Sequence, residues 1–345
     1  MKKILLSYLL LIFVLACEAQ AYDQKTPYLT KTFSSESINN VEAKTQGGSI
    51  TVTGGSQSGS RVEVYISPNG NKSLSKEEID SRLKEDYELN ISVSGGKLVA
   101  ISKQKNSTFN WKRALSISYK IYVPQNVSTN LATSGGSIDI SNLNGTQDFR
   151  TSGGSLKVEK LSGKINGETS GGSISVTDSK DDIDLHTSGG SVDASNCHGK
   201  IRLETSGGSI DLKGLSGNIH ANTSGGSVDG NTIEGELFAH TSGGNVDLKD
   251  LRCSLETSTS GGNINVELKE LRQYVKIRNS GGHIDLIIPA NKGIDLRLNG
   301  GKIKTDALSN FSGSVEENEV SGKLNGGGIP VTADAGGGRV SLTMK

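Results

Sequence analysis

The tetrapeptide Thr-Ser-Gly-Gly occurs eight times, at Thr133, Thr151, Thr169, Thr187, Thr205, Thr223, Thr241 and Thr259, each copy 18 residues from the last with no insertion or deletion between them. Loops that vary independently cannot keep so strict a period. Each repeat has to stack in register on its neighbour, which is the signature of a solenoid.

One repeat, residues 205–222, reads TSGGSIDLKGLSGNIHAN. It divides into two nine-residue halves, starting at Gly208 and Gly217. Each half is a glycine turn followed by apolar, polar, apolar alternation, the period of a strand with one buried face. Positions 18 apart then lie above one another, about 4.8 Å apart as in any sheet. The column through Ile210 reads Ile138, Leu156, Ile174, Val192, Ile210, Val228, Val246, Ile264. The column through Ile219 holds Ile165, Ile183, Ile201, Leu237 and Leu255 and is broken by Gln147. A third column, Leu143, Leu161, Leu215, Ile233 and Leu251, plugs the corner. The glycine pairs are expected where a turn needs a positive φ or a close backbone approach, with the adjacent serine and threonine bonding along the stack. A phosphate cradle would need a following helix and usually a lysine, and neither follows the glycines. A hexapeptide helix is also excluded, since stepping by six from Ile210 reaches Ser216 and Asn222.

The pattern extends beyond the strict repeats. Residues 45–52 and 94–99 read as further coils, so the solenoid is expected to start near residue 30. Between them Ser75 to Glu78 forms a capping box, and Ile79, Leu83 and Tyr87 follow at helical spacing, predicting a helix over 75–87 that covers the first coil. Residues 113–124 read as a longer strand. Beyond Gly262 the spacing loosens, to 20 at Asn279 and then further, as expected of terminal repeats. The fold class is all-β, a parallel β-solenoid (β-helix) of 18-residue two-strand coils with a short helical insertion near the N-terminus. About a dozen coils make a rod on the order of 60 Å long. The chain divides into a signal peptide at 1–21, N-terminal coils and cap at 22–130, and regular repeats with a C-terminal cap at 131–345.

Lys2-Lys3 followed by the apolar run Ile4–Ala16 reads as an export signal and not as a span. Two processing routes stay open: ordinary cleavage after Ala19-Gln20-Ala21, or lipidation of Cys17 within Val14-Leu15-Ala16-Cys17. The expected location is outside the cytoplasm, in the periplasm, at the cell surface, secreted, or held at the outer membrane by that lipid. With 37 basic and 37 acidic side chains the composition supports neither nucleic-acid binding nor electrostatic membrane attachment.

The opening Gly47-Gly48-Ser49-Ile50-Thr51-Val52, the helix-bearing insertion, the strand ending Tyr122-Val123-Pro124 and the Ser-Gly-Gly-Ser-Ile-Asp series together resemble a bacterial family of candidate adhesins, the DUF4097-type beta-strand repeat proteins. The resemblance covers nearly all of the mature chain. It implies a parallel β-solenoid and a role in cell-surface adhesion, and it carries over no catalytic residues and no cofactor.

Asp193, Asp211, Asp229 and Asp247 fall in one outward column. Such a ladder is first a solvated face and second a calcium site, since calcium takes oxygen ligands. His186 and His240 share a column three coils apart, too far for a common metal; His198, His220 and His283 occupy others and are expected in solvent. Cys197 replaces leucine in the corner column and Cys253 aligns with turn glycines, so the two cannot pair. Phe109, Trp111, Tyr119 and Tyr122 concentrate aromatics in the insertion; Phe109 and Trp111 could contact a sugar ring or a partner. The expectation is a nonenzymatic exported rod that binds a surface, matrix or glycan partner through repeated polar ladders. The alternatives are a polysaccharide-processing β-helix enzyme and a polymer-forming scaffold.

Overall fold

In the computed structural model, which describes residues 25–33, 37–57, 59–69, 74–105 and 112–345, the 18-residue period becomes a stack of parallel strands. Coils of about 18 residues make a β-solenoid of about nine turns. Ile210 pairs with Val192 on one side and Val228 on the other, and Ile219 with Ile201 and Leu237. All six are fully buried, each worth about 1.5–3 kcal/mol relative to exposure. The corner column is buried as well, including Cys197. Gln147, the one break in the Ile219 column, is also fully buried, but both ends of its amide are bonded. Thr129 donates to its Oε1 at 2.7 Å and its Nε2 donates to the Val127 carbonyl at 2.8 Å. Packing between rungs is matched: an added Cβ at Gly167 would lie 2.4 Å from the Phe149 ring and 2.7 Å from Leu185, so the glycine makes room for the phenylalanine below.

The repeated glycines answer only one of the two needs anticipated for them. No glycine of the eight Thr-Ser-Gly-Gly turns has a positive φ. The second of each pair is there for backbone contact: a Cβ at Gly208 would stand 2.2 Å from the Gly190 carbonyl oxygen, whereas one at Gly207 would meet nothing closer than 3.4 Å. Positive φ falls on the opposite corner, at Asn142, Lys160, Asp178, Asn196, Gly214, Thr232 and Asp250, again 18 apart, and three residues later at Gly217 (φ 119°) and its equivalents. Each threonine of the turn is buried and bonds twice. Thr205 donates to Gly190 O at 2.7 Å and accepts from Gly208 N–H at 3.2 Å. Where threonine gives way to Asn279, its amide makes the same contacts, to Gly262 O at 2.8 Å and from Gly282 N–H at 2.9 Å.

At both ends the order of coils in space departs from their order in sequence. The first coil of the chain, strands Asn40–Lys44 and Ile50–Thr53, is not outermost. Strands Lys97–Gln104 and Leu115–Tyr122 stack on one side of it, and Ser128–Thr133 and Ile138–Ser141 on the other. Antiparallel strands then cover the outer coil: Tyr87–Ser94 on Lys97–Gln104, Ser60–Pro68 on Leu115–Tyr122, and Leu29–Phe33 beyond. The helix Lys76–Asp86 is capped by Ser75, buries Ile79 and packs at this end. The C-terminal end repeats the device. Strands Ile329–Asp334 and Arg339–Met344 are last in sequence, yet lie between the coil made by Ile264–Asn279 and Ile284–Ile288 and the outer strands Ile294–Asn299 and Lys302–Thr305. A hairpin, Phe311–Val315 with Glu319–Leu324, closes the outside. The first parallel coil of the sequence and the last are thus each held between two others. The helix therefore covers a later coil and not, as the sequence suggested, the first.

Polar ties secure these tucked segments. Glu42 in the inner N-terminal coil binds Lys44 and, across the rung, Lys97; hydrogen bonds from Lys44 and then Lys97 hold its carboxyl down at about 2. At the other end the backbone N–H of Arg339 donates to His283 Nδ1 at 3.1 Å. His283 is exposed, as expected, but it carries this structural bond.

Candidate functional site

Two outward strand faces flank the rod. On the face of the shorter strands the aspartate ladder is in register, Asp193 beside Asp211, Asp229 and Asp247, and it ends where Asn265 Nδ2 donates to Asp247 at 2.6 Å. Partial burial, and then the neighbouring carboxylates, raise Asp211 and Asp229 above the usual carboxylate range. Among the described residues no group of three or more His, Cys, Asp or Glu side chains is arranged to hold a metal ion.

The face of the longer strands carries a feature that no column of like residues announces. His220 and Phe238 lie in register on adjacent coils, and their rings stack 4.5 Å apart at 9°. The only signal for this in the sequence is the interval of 18 between them. The next side chains along the same column, Arg202 and Glu256, are both engaged in ion pairs of their own. Arg202 is bound to Glu204 through Nε at 3.0 Å and a terminal nitrogen at 2.8 Å. Glu256 is held by Lys276 at 3.5 Å and Arg278 at 3.7 Å. Beside Phe238, Glu236 accepts from Asn218 at 2.8 Å and from the Tyr274 hydroxyl at 2.6 Å. Burial, and then the Glu236 carboxylate, push the Tyr274 phenol up. His240 shares a 2.7 Å hydrogen bond with Ser258. These groups sit on paired strands of one rigid sheet, so their geometry is set before any ligand arrives.

The remaining singled-out residues do not converge. His186 lies 3.8 Å from Glu204 and stays three coils from His240 in the same column, and His198 bonds Ser216 at the far corner. Cys197 and Cys253 are free and buried; burial pushes the Cys253 thiol up to about 12 and raises Cys197 too, which leaves both as poor nucleophiles. Tyr119 is buried in the core, and Tyr122 carries the Arg61 guanidinium 4.3 Å above its ring. Cys17, Phe109 and Trp111 lie outside the described residues.

The stacked coils and their register define the class, a parallel β-solenoid. No family model and no curated protein matches the chain. Solved structures that match along its length include a candidate cell adhesion protein from Clostridium sporogenes, 11% identical over 92% of this chain and 98% of that one with a TM-score of 0.20. A candidate adhesin from Parabacteroides distasonis is 14% identical over 91% and 96%, TM-score 0.31. Another from Bacteroides fragilis is 13% identical over 91% and 96%, TM-score 0.23.

Proposed function

We propose that this protein is an exported, nonenzymatic adhesin of the DUF4097 type, a rod that holds a surface, matrix or glycan partner along its flanks. The observation that supports the reading most is the register itself. Outward side chains recur every rung of a stack whose ends are closed by antiparallel strands, so the flanks are the repeating surface on offer. Contacts spread over such columns add up by multivalency, each weak and the sum strong. Rigid strands keep the ordering cost of binding low.

Purified protein incubated with bacterial or host cells and with extracellular matrix tests this. Retention on at least one of these surfaces, with the surface polymer chromatographically unchanged after prolonged incubation, is the expected result. Time-dependent release of oligosaccharide or peptide fragments would replace the adhesin with an enzyme.

A further inference from the structure

The ring pair His220–Phe238 forms a wall on the long-strand face, in a groove of about 670 Å³. Because the two rings stack on each other along the rod, their outer faces point toward the neighbouring rungs. There Arg202 is drawn to Glu204 and Glu256 to Lys276 and Arg278, and His220 remains exposed with Phe238 half-buried. Flat ring faces flanked by planar hydrogen-bonding groups match a pyranose, which has an apolar face and a rim of hydroxyls. Asn222 and His240 line the same groove. We propose that this groove binds a neutral glycan chain, with Phe238 and His220 as the stacking surface and Arg202, Glu204, Asn222 and His240 as its hydrogen-bonding rim. The proposal rests on the adhesion reading and gives it a ligand class.

Charge selects against other occupants. Arg202 is committed to Glu204, and Lys276 and Arg278 to Glu256, which leaves Asp182 and Asp184 against Lys200 in the lining, so a polyanion such as a sulfated or uronic chain, or a nucleic acid, finds no cationic track there. An extended peptide binding by strand addition needs a free sheet edge. Here every strand of the groove is paired on both sides.

An immobilised array of neutral hexose and N-acetylhexosamine oligosaccharides, with heparin as the polyanion, tests the site on the full mature chain. Binding to neutral members and not to heparin is expected, reduced at least tenfold in Phe238→Ala and several-fold in Asn222→Ala, a rim change that leaves the melting temperature in place. Absence of binding to every neutral member, preference for heparin, or binding undiminished from the parent in a folded Phe238→Ala and in Asn222→Ala would overturn the proposal. Cell adhesion assayed in parallel separates the two readings. A rod that adheres but ignores the array loses the glycan site and keeps the adhesion; a rod that binds the array but no cell or matrix keeps the site and loses the adhesion.

Discussion

The two glycines of each turn are equivalent in composition and different in what a methyl group would meet. Gly208→Ala drives a Cβ against the Gly190 carbonyl at 2.2 Å, while Gly207→Ala makes contact at 3.4 Å. Overpacking against backbone costs about 1–3 kcal/mol or more, so urea unfolding should place Gly208→Ala at least about 2 kcal/mol below the parent and Gly207→Ala within about 1 kcal/mol of it. Equal losses would mean that the turn is not held by this approach. The aspartate ladder yields a pH prediction of definite sign. A carboxyl raised in the folded state binds its proton more tightly there than in the unfolded chain, so the stability it contributes is present at low pH and lost as pH rises through its folded pKa. Removing Asp211 and Asp229 together as asparagines should therefore raise the melting temperature at pH 7 and lose that advantage below the ordinary carboxylate pKa. Millimolar calcium should leave the parent's melting temperature unchanged if the ladder is a solvated face. A calcium-dependent rise abolished by the same double substitution would make it a cation site, worth about 3 kcal/mol at a hundredfold excess over the dissociation constant.

At the scale of elements the ends matter most. Glu42 is tied to Lys97 across the outermost parallel rung, and a carboxyl depressed to about 2 gives stability that is complete above its ordinary value and fades as pH falls toward 2. The difference between parent and Glu42→Gln should be about 1 kcal/mol or less at pH 7, discounted for a pair still in contact with solvent, and vanish near pH 2; a difference that persisted at pH 2 would remove the tie. Ending the chain after Gly328 takes out a coil from inside the stack, so hydrogen exchange in Ile294–Asn299 and Lys302–Thr305 should accelerate sharply. Unchanged protection there would contradict the tucked C-terminus. The regular coils were legible in the sequence because a fixed period leaves one register: Ile210 and Ile219 must face inward once Gly208 and Gly217 are turns. The ends were not, because Gly47-Gly48 and Gly336-Gly337 look like any other turn, and which coil each segment meets is decided by distant pairing. The ring pair escaped for another reason. His220 and Phe238 belong to no shared residue class, so only their spacing joins them, and reading columns for one class at a time separates them.

For the whole molecule, a one-dimensional stack has stability close to the sum of its rungs and their interfaces. Removing residues 151–186 joins Arg150 to Thr187, positions that succeed one another in the repeat, and leaves the ring pair and both ends intact. Multivalent contact along the flanks predicts a particular response to such shortening, because avidity falls with the number of rungs engaged and not with the loss of a single cleft. The most direct test is therefore the adhesion strength of beads coated with the full rod, with the rod lacking residues 151–168, and with the rod lacking residues 151–186. The three should remain folded and hold to the same surface with strength that declines step by step. Full adhesion down to the shortest rod, or abrupt loss at the first deletion with the fold intact, would contradict contact distributed along the flanks.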